Sequence, residues 1–362
     1  MCLNNSLAFR LFQRLFRSFL CQIPKHYLSI WVLRAFNLDH PMSNFKIAYH
    51  ASQEQFAPSQ LLALAVQAEK SGFTALHSSD HFQPWNSAQG QSGFTFSWIG
   101  AAMQATRLPI GMVCAPGQRY HPVMVAQAAA TLAEMFPNRL WISLGSGEAI
   151  NEYFSAEPWP SKAIRNERLK ECHDVMVRLL AGETVDYSGH IKVQKAKLYT
   201  LPKVKPKFIG AAVTPQTAAW LGSWADGMVT INKPIEQLKE IIAAFRAGGG
   251  AGKPISLKVQ LSYESTYDLA LQGAFDQWNT NIFESSLLAD LNTVEQFEAA
   301  AKFVRPEDLH DAVHISDRVE EHLEILKGYK QMGFETLILH NVNRNQERFI
   351  EDFGKHVLPQ LH

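Results

Sequence analysis

The chain has 362 residues, enough for one large α/β barrel or two ordinary domains. Hydrophobic residues make up 46% and charged residues 19%, and 34 basic against 34 acidic residues give a formal net charge of +0. This is ordinary for a globular enzyme and offers no bulk attraction to nucleic acid or to an acidic membrane surface, so neither is expected as a partner.

Cys2, Cys21, Cys114 and Cys172 are scattered without metal-ligand spacing, so free thiols in a reducing, cytoplasmic setting are expected. The first stretch, to about Pro41, reads differently from the rest. Arg10, Arg14, Arg17, Lys25 and Arg34 stand among Leu, Phe and Trp, with no acid before Asp39. An amphipathic surface helix or a targeting segment fits this composition, and no apolar run is long enough to span a bilayer. Met42 directly precedes the first convincing strand. Residues 1–41 are therefore expected to form an extension outside the fold, and residues 42–362 a single domain.

From Phe45 strands and helices alternate. A strand at 45–50 is followed by a helix at 59–71 that Gly72 stops. A strand at 73–79, a short helix at 96–106 and a strand at 109–115 come next. An Ala-rich helix at 122–135 leads to a strand at 139–147 that ends in glycines. A long amphipathic helix at 162–181 precedes a hairpin at 184–199, turning at Ser188-Gly189. Strands at 207–213 and 227–232 alternate with helices at 215–224 and 235–247. A strand at 255–264, a less regular insertion over about 265–312, a helix at 318–332, a strand at 334–341 and a terminal helix complete the chain. The strands are mostly continuous apolar runs, as in parallel strands covered on both faces. The pattern predicts an α/β fold, a (β/α)8 TIM barrel with an insertion late in the chain. The rival is an open doubly wound sheet, but no G-x-G-x-x-G follows the first strand.

In a barrel, reactive groups sit at the carboxyl ends of the strands. The second strand runs into Asp80, His81 and Trp85, the densest chemistry in the chain. An Asp beside a His can fix the imidazole tautomer, as a general base needs, and a Trp can lie against a flat ligand. Other strand ends add Ser52, Glu54, Gln55 and Phe56, then Gln118, Arg119, Tyr120 and His121. Ser146, Gly147, Glu148, Asn151 and Glu152 follow the fourth strand, and Thr214 and Thr217 the fifth. Thr230, Asn232 and Lys233 follow the sixth, and His340, Asn341 and Asn343 the last. Read singly, each is an ordinary structural residue: Glu54 an exposed loop acid, Asp80 an N-cap, Lys233 a solvated lysine. Only their common location argues for a site. His77 and His81 lack the H-x-H spacing of barrel metal hydrolases, so no metal is expected. Gly145-Ser146-Gly147 lacks the spacing of a nucleophile elbow.

The segments KIAYHASQEQFAP, SSDHFQPW, QRYHPVMVAQ and LGSGEAINE, in this order, resemble the luciferase-like monooxygenase superfamily. Within it they are most similar to the branch of the deazaflavin (F420)-dependent glucose-6-phosphate dehydrogenases. The resemblance covers roughly Phe45 to Leu361 and implies a barrel with a flavin or deazaflavin ring over the carboxyl rim. It implies that Asp80 contacts the ring, that His81 takes a hydroxyl proton from the substrate, and that Trp85 lines the pocket. It implies that Glu148 is the acid opposite that base and that Glu54 supports His81. Val113 and Cys114 match the step of strand three that lies behind the ring, and Ser146, Gly147 and Asn151 belong with the cofactor positions. Of that branch's sugar-phosphate clamp, one lysine matches Lys233, beyond Thr230. A second lysine position falls near Leu288 and an arginine near Asp311–Ala312, so glucose 6-phosphate is not the predicted substrate.

Thr214 and Thr217 open a helix whose N-terminus suits a single phosphate, which favours FMN, with coenzyme F420 as the alternative. The expected function is a flavin-dependent oxidoreductase acting on a small organic substrate, by hydride transfer or by oxygen activation on reduced flavin. An F420-dependent sugar or alcohol dehydrogenase is the alternative, and a non-catalytic flavin-binding barrel the reading from another class. A flavin reductase as electron donor and a homodimer are the expected protein partners.

Overall fold

A computed structural model describes residues 45–361. The expectations for residues 1–41 lie outside the described residues. The fold is a closed barrel of eight parallel strands, as the alternation predicts. They are β1 (Lys46–Ala51), β2 (Ala75–Ser78), β3 (Ile110–Cys114), β4 (Leu140–Leu144), β7 (Lys207–Ala211), β8 (Met228–Ile231), β9 (Ile255–Ser262) and β11 (Thr336–Asn341). Closure runs through β8 with β9, β9 with β11 and β11 with β1; Tyr49 of β1 pairs with Leu76 on one side and Leu339 on the other.

Eight helices wrap the barrel: α1 (Pro58–Lys70), α2 (Thr95–Ala105), α3 (Pro122–Met135), α5 (Lys162–Leu180), α6 (Pro215–Gly222), α7 (Ile235–Phe245), α11 (Val319–Gln331) and α12 (Gln346–His356). Between β4 and α5 lies a short α4 (Ala149–Glu152), and the hairpin β5 (Val185–Ser188) and β6 (Lys192–Ala196) follows α5. The late insertion is helical, with α8 (Tyr267–Trp278), α9 (Ser285–Asp290) and α10 (Val294–Ala301), and β10 (His314–Ile315) joins the edge of β9. These helices pack into two small clusters of their own, apart from the main core. Phe297 and Leu288 of this insertion pack with Trp85 and Ile150. Among the described residues, no helix is long and apolar enough to cross a membrane.

Side chains alternate across each strand, and this sorts the two faces. Ile47, Tyr49, Met112, Ile142 and Leu257 point outward into the main core beneath the helices. Ala48, Ala75, Ile209, Val229 and Ile338 point inward and plug the bottom of the barrel with Trp141. A Cβ on Gly111 would come within 2.0 Å of the Trp141 ring, so only glycine admits that plug. Two residues further along β1, β2 and β11 the inward positions are His50, His77 and His340. The apolar plug thus gives way to polar groups toward the carboxyl rim.

Candidate active site

A cavity of about 1230 Å³ opens at the carboxyl ends of the strands. His81, three residues past β2, hangs into it. Asn151 of α4 accepts the Phe82 backbone N–H on Oδ1 at 2.8 Å, which turns its Nδ2 toward His81 Nδ1 at 3.1 Å. His81 Nε2 faces two carboxylates, Glu54 Oε1 at 3.7 Å and Glu148 Oε2 at 3.6 Å. The Trp85 ring lies 4.8 Å from the imidazole.

The two glutamates differ. Glu54 is 3% exposed, not a loop acid in solvent. Its Oε2 accepts from Ser52 at 2.8 Å and Ser79 at 2.6 Å, while its buried Oε1 has no hydrogen-bond partner. Burial pushes the carboxyl up, but His81 and the two hydroxyls outweigh it and hold Glu54 below the usual carboxylate range. Glu148 has no such hydroxyl shell; burial pushes it up, with His81 only partly opposing. One imidazole between two carboxyls that are driven apart is an acid–base arrangement.

Asp80 does not serve His81 in the way its sequence position suggests. Its carboxylate turns away, to Arg119 at 2.6 Å and the Tyr120 hydroxyl at 3.1 Å. The pair is almost fully buried, with side-chain exposures of 5% for Arg119 and 1% for Asp80. Burial works against the guanidinium charge, and Asp80 more than restores it, so Arg119 stands above its ordinary value. The Arg119 backbone N–H donates to Glu152, whose carboxyl burial pushes up to about 7. Asn151, not Asp80, orients the imidazole.

Val113 lines the cavity, as do Ser146, Gly147, Thr214, Thr217, Thr230 and Lys233. Cys114 does not. It follows Val113 in an extended strand, so it points outward and is buried in the main core. Burial pushes its thiol far above the ordinary range. Thr214 caps α6, accepting the Thr217 N–H at 3.3 Å. Lys162, in the first turn of α5, donates to Ser146 at 2.6 Å. Arg165, one turn on, stacks over Trp159 at 4.4 Å and reaches Asp290 at 3.4 Å.

Lys258, His50 and His77 also line the cavity, beyond the strand-end residues that the sequence points to. The signal was available in period 2: Lys258 and Gln260 are the polar inward positions of the otherwise apolar strand ISLKVQLS.

The cavity suits an elongated aromatic cofactor with a phosphate. A Cβ built on Gly145 would meet nothing within 4 Å, so the backbone of the β4 turn stands open to a flat group. The N-termini of α5 and α6 and the cations Lys162 and Arg165 converge on the same cavity, where phosphate oxygens would be held.

A closed barrel with an acid–base cluster at its carboxyl rim defines an α/β-barrel enzyme. The model of the luciferase-like monooxygenase family matches residues 42–336. The chain belongs to that family and is an oxidoreductase. It is 33% identical over 327 residues to the F420-dependent glucose-6-phosphate dehydrogenase of Beutenbergia cavernae, covering 87% of this chain and 97% of that protein. The structure of an F420-dependent secondary alcohol dehydrogenase in complex with an F420-acetone adduct superposes with a TM-score of 0.81 at 26% identity, covering 88% of this chain and 99% of the other. A monooxygenase from Streptomyces bottropensis superposes with a TM-score of 0.68 at 17% identity, covering 88% and 100%, and shares the fold.

Proposed function

We propose that the protein is an F420-dependent dehydrogenase that interconverts a small alcohol and its carbonyl compound. The observation that carries this reading is the Glu54–His81–Glu148 cluster, with its two carboxyls driven apart, beside Trp85 in a cavity whose mouth suits a phosphate tail. F420 replaces FMN as the favoured cofactor because the similar proteins named above are F420-dependent. The Thr214–Thr217 cap does not favour the FMN reading, with oxygen activation fed by a flavin reductase, over F420. A capped helix N-terminus serves either cofactor's phosphate.

When bound, the deazaflavin ring supplies a two-electron hydride acceptor. The protein's residues do the rest. Val113 and the open β4 turn would hold the ring, and Lys162, Arg165, Thr214 and Thr217 would anchor the tail. His81 takes the hydroxyl proton at Nε2. In that tautomer Nδ1 carries the hydrogen, so Asn151 turns its carbonyl to it and gives up the Phe82 bond. Ionised Glu54 holds the imidazolium, and Glu148 keeps a proton for the opposite side of the reaction. Trp85 and the α8–α10 cover exclude water. Glucose 6-phosphate is not the substrate we favour: the cavity presents Leu288, Asp311 and Ala312 at the outer wall, where a phosphate needs cations. A homodimer is proposed from the resemblance.

The test is incubation with oxidised F420 and a panel of small alcohols without oxygen, following loss of the oxidised deazaflavin absorbance. Turnover with at least one alcohol is expected, with FMN failing to replace F420. Turnover that requires FMN and oxygen would overturn the reading.

A further inference from the structure

Five cations line the cavity among the described residues: Arg119, Lys162, Arg165, Lys233 and Lys258. Arg119 is paired with Asp80, Arg165 with Asp290, and Lys162 is bonded to Ser146. Among the described residues Lys258, from the middle of β9, has no ion pair or hydrogen bond; its ammonium lies 5.9 Å from the Trp278 ring. It stands at the barrel floor among His50, His77 and His340, on the inward faces of β1, β2 and β11.

These histidines are neutral. Burial and the Lys258 charge lower all three, His77 to about 3. Their hydrogen bonds fix what they offer. His50 Nδ1 and His77 Nδ1 are 3.1 Å apart, so one donates and the other accepts. A neutral ring has one N–H. Of His50 Nε2 and His77 Nε2, one therefore carries a hydrogen and one a lone pair, and both are buried without a partner. Gln55 donates its amide to Val342 at 2.7 Å, which turns its Oε1 to accept from His340 Nε2 at 2.9 Å. His340 Nδ1 is left as an unpartnered acceptor, as is Gln260 Oε1. The floor thus offers an ammonium, one ring N–H and acceptors for hydroxyl groups. Burying such groups without partners is costly, and a ligand that meets all of them removes that cost. The outer wall is the reverse, with Glu284, Asp308 and Asp311.

We propose that the floor beneath His81 is a carboxylate subsite, so that the substrate is a small hydroxy acid: its carboxylate on Lys258 and the ring N–H of the His50–His77 pair, and its hydroxyls donating to His340 and Gln260. This rests on the dehydrogenase reading for which molecule enters, but not on which cofactor is bound. Glu54 and Glu148 are the carboxylates facing Lys258, with the three neutral histidines around it; burial outweighs both and lowers Lys258 to about 8. Anion binding at the floor is therefore present below about pH 8 and fades above it.

The test is calorimetric titration of the protein, alone and saturated with oxidised F420, with matched pairs: glycolate and ethylene glycol, glycerate and glycerol, gluconate and sorbitol. In at least one pair the acid is expected to bind tenfold or more tighter than its alcohol. Lys258→Met should bring that ratio near one, and Lys258→Arg should keep it, with unchanged thermal transitions as the folding control. No acid preference in any pair, or a preference that survives Lys258→Met, overturns the proposal. Mutual exclusion of acid and F420 also overturns it, since the floor would then serve the cofactor. An acid preference in a protein that binds FMN and not F420 supports the floor assignment and defeats only the cofactor reading.

Discussion

The two sides of the cavity are built on opposite terms. On the β3 side every charge is answered: Asp80 meets Arg119 and Tyr120, and Glu152 takes the Arg119 backbone N–H. Under His81 the floor holds the Lys258 ammonium, which faces Glu54 and Glu148 without an ion pair or hydrogen bond among the described residues, and leaves four buried polar atoms without a partner, on His50, His77, His340 and Gln260. The difference separates scaffold from recognition. On the β3 side the buried Asp80–Arg119 pair holds the rim in shape. Unpaired groups are poised for a molecule that arrives with the complementary groups.

The largest effect should come from the group that stands between the two sides. His81→Ala is expected to cut turnover by about a hundredfold to ten-thousandfold, the usual range for a positioned base, with F420 affinity nearly unchanged. Steady-state kinetics and cofactor titration on the same variant check this. Near-normal turnover would break the assignment of His81 and shift the base role to Glu54 or Glu148.

Breaking the paired side should damage the fold more than the chemistry. Arg119→Met leaves the Asp80 carboxylate buried without its partner and should cost about 3–5 kcal/mol, read by denaturant unfolding. Adding Asp80→Asn should restore part of that loss. If Arg119→Met leaves stability untouched, the pairing is not what holds this side together.

Glu152 gives a smaller, pH-dependent effect. Its carboxyl is raised in the folded protein to about 7, from an ordinary value near 4.5. The group therefore favours the folded state below about pH 4.5, and that contribution is lost as pH rises through about 7. Glu152→Gln should flatten this part of the stability profile, measured as unfolding free energy against pH. The smallest effect is expected from starting the chain at Met42, which should leave the thermal transition and turnover unchanged. Aggregation of the shortened protein would place residues 1–41 against the barrel.

The barrel was legible because parallel strands covered on both faces read as apolar runs, and each ends in polar residues. The rim was legible for the same reason: Asp80, His81, Glu148 and Asn151 all follow strand ends. Partner choice was not legible. Nothing in the order Asp80-His81 says that the carboxylate turns to Arg119, 39 positions away, while Asn151 holds the ring. Strand parity explains the remaining miss. The resemblance pairs Val113 with Cys114, yet adjacent residues on a strand face opposite sides, and only Val113 lines the cavity. The same parity, applied to Lys258 in β9, would have found the floor.

The cofactor reading rests on a cavity that would take a deazaflavin beside His81 and the two glutamates. The most direct measurement is parallel titration of the protein with oxidised F420 and with FMN, followed by quenching of Trp85 and its neighbouring tryptophans. Saturable F420 binding at about micromolar concentration or tighter is expected, with FMN about tenfold weaker or more. Saturation by FMN with no response to F420 would contradict that reading.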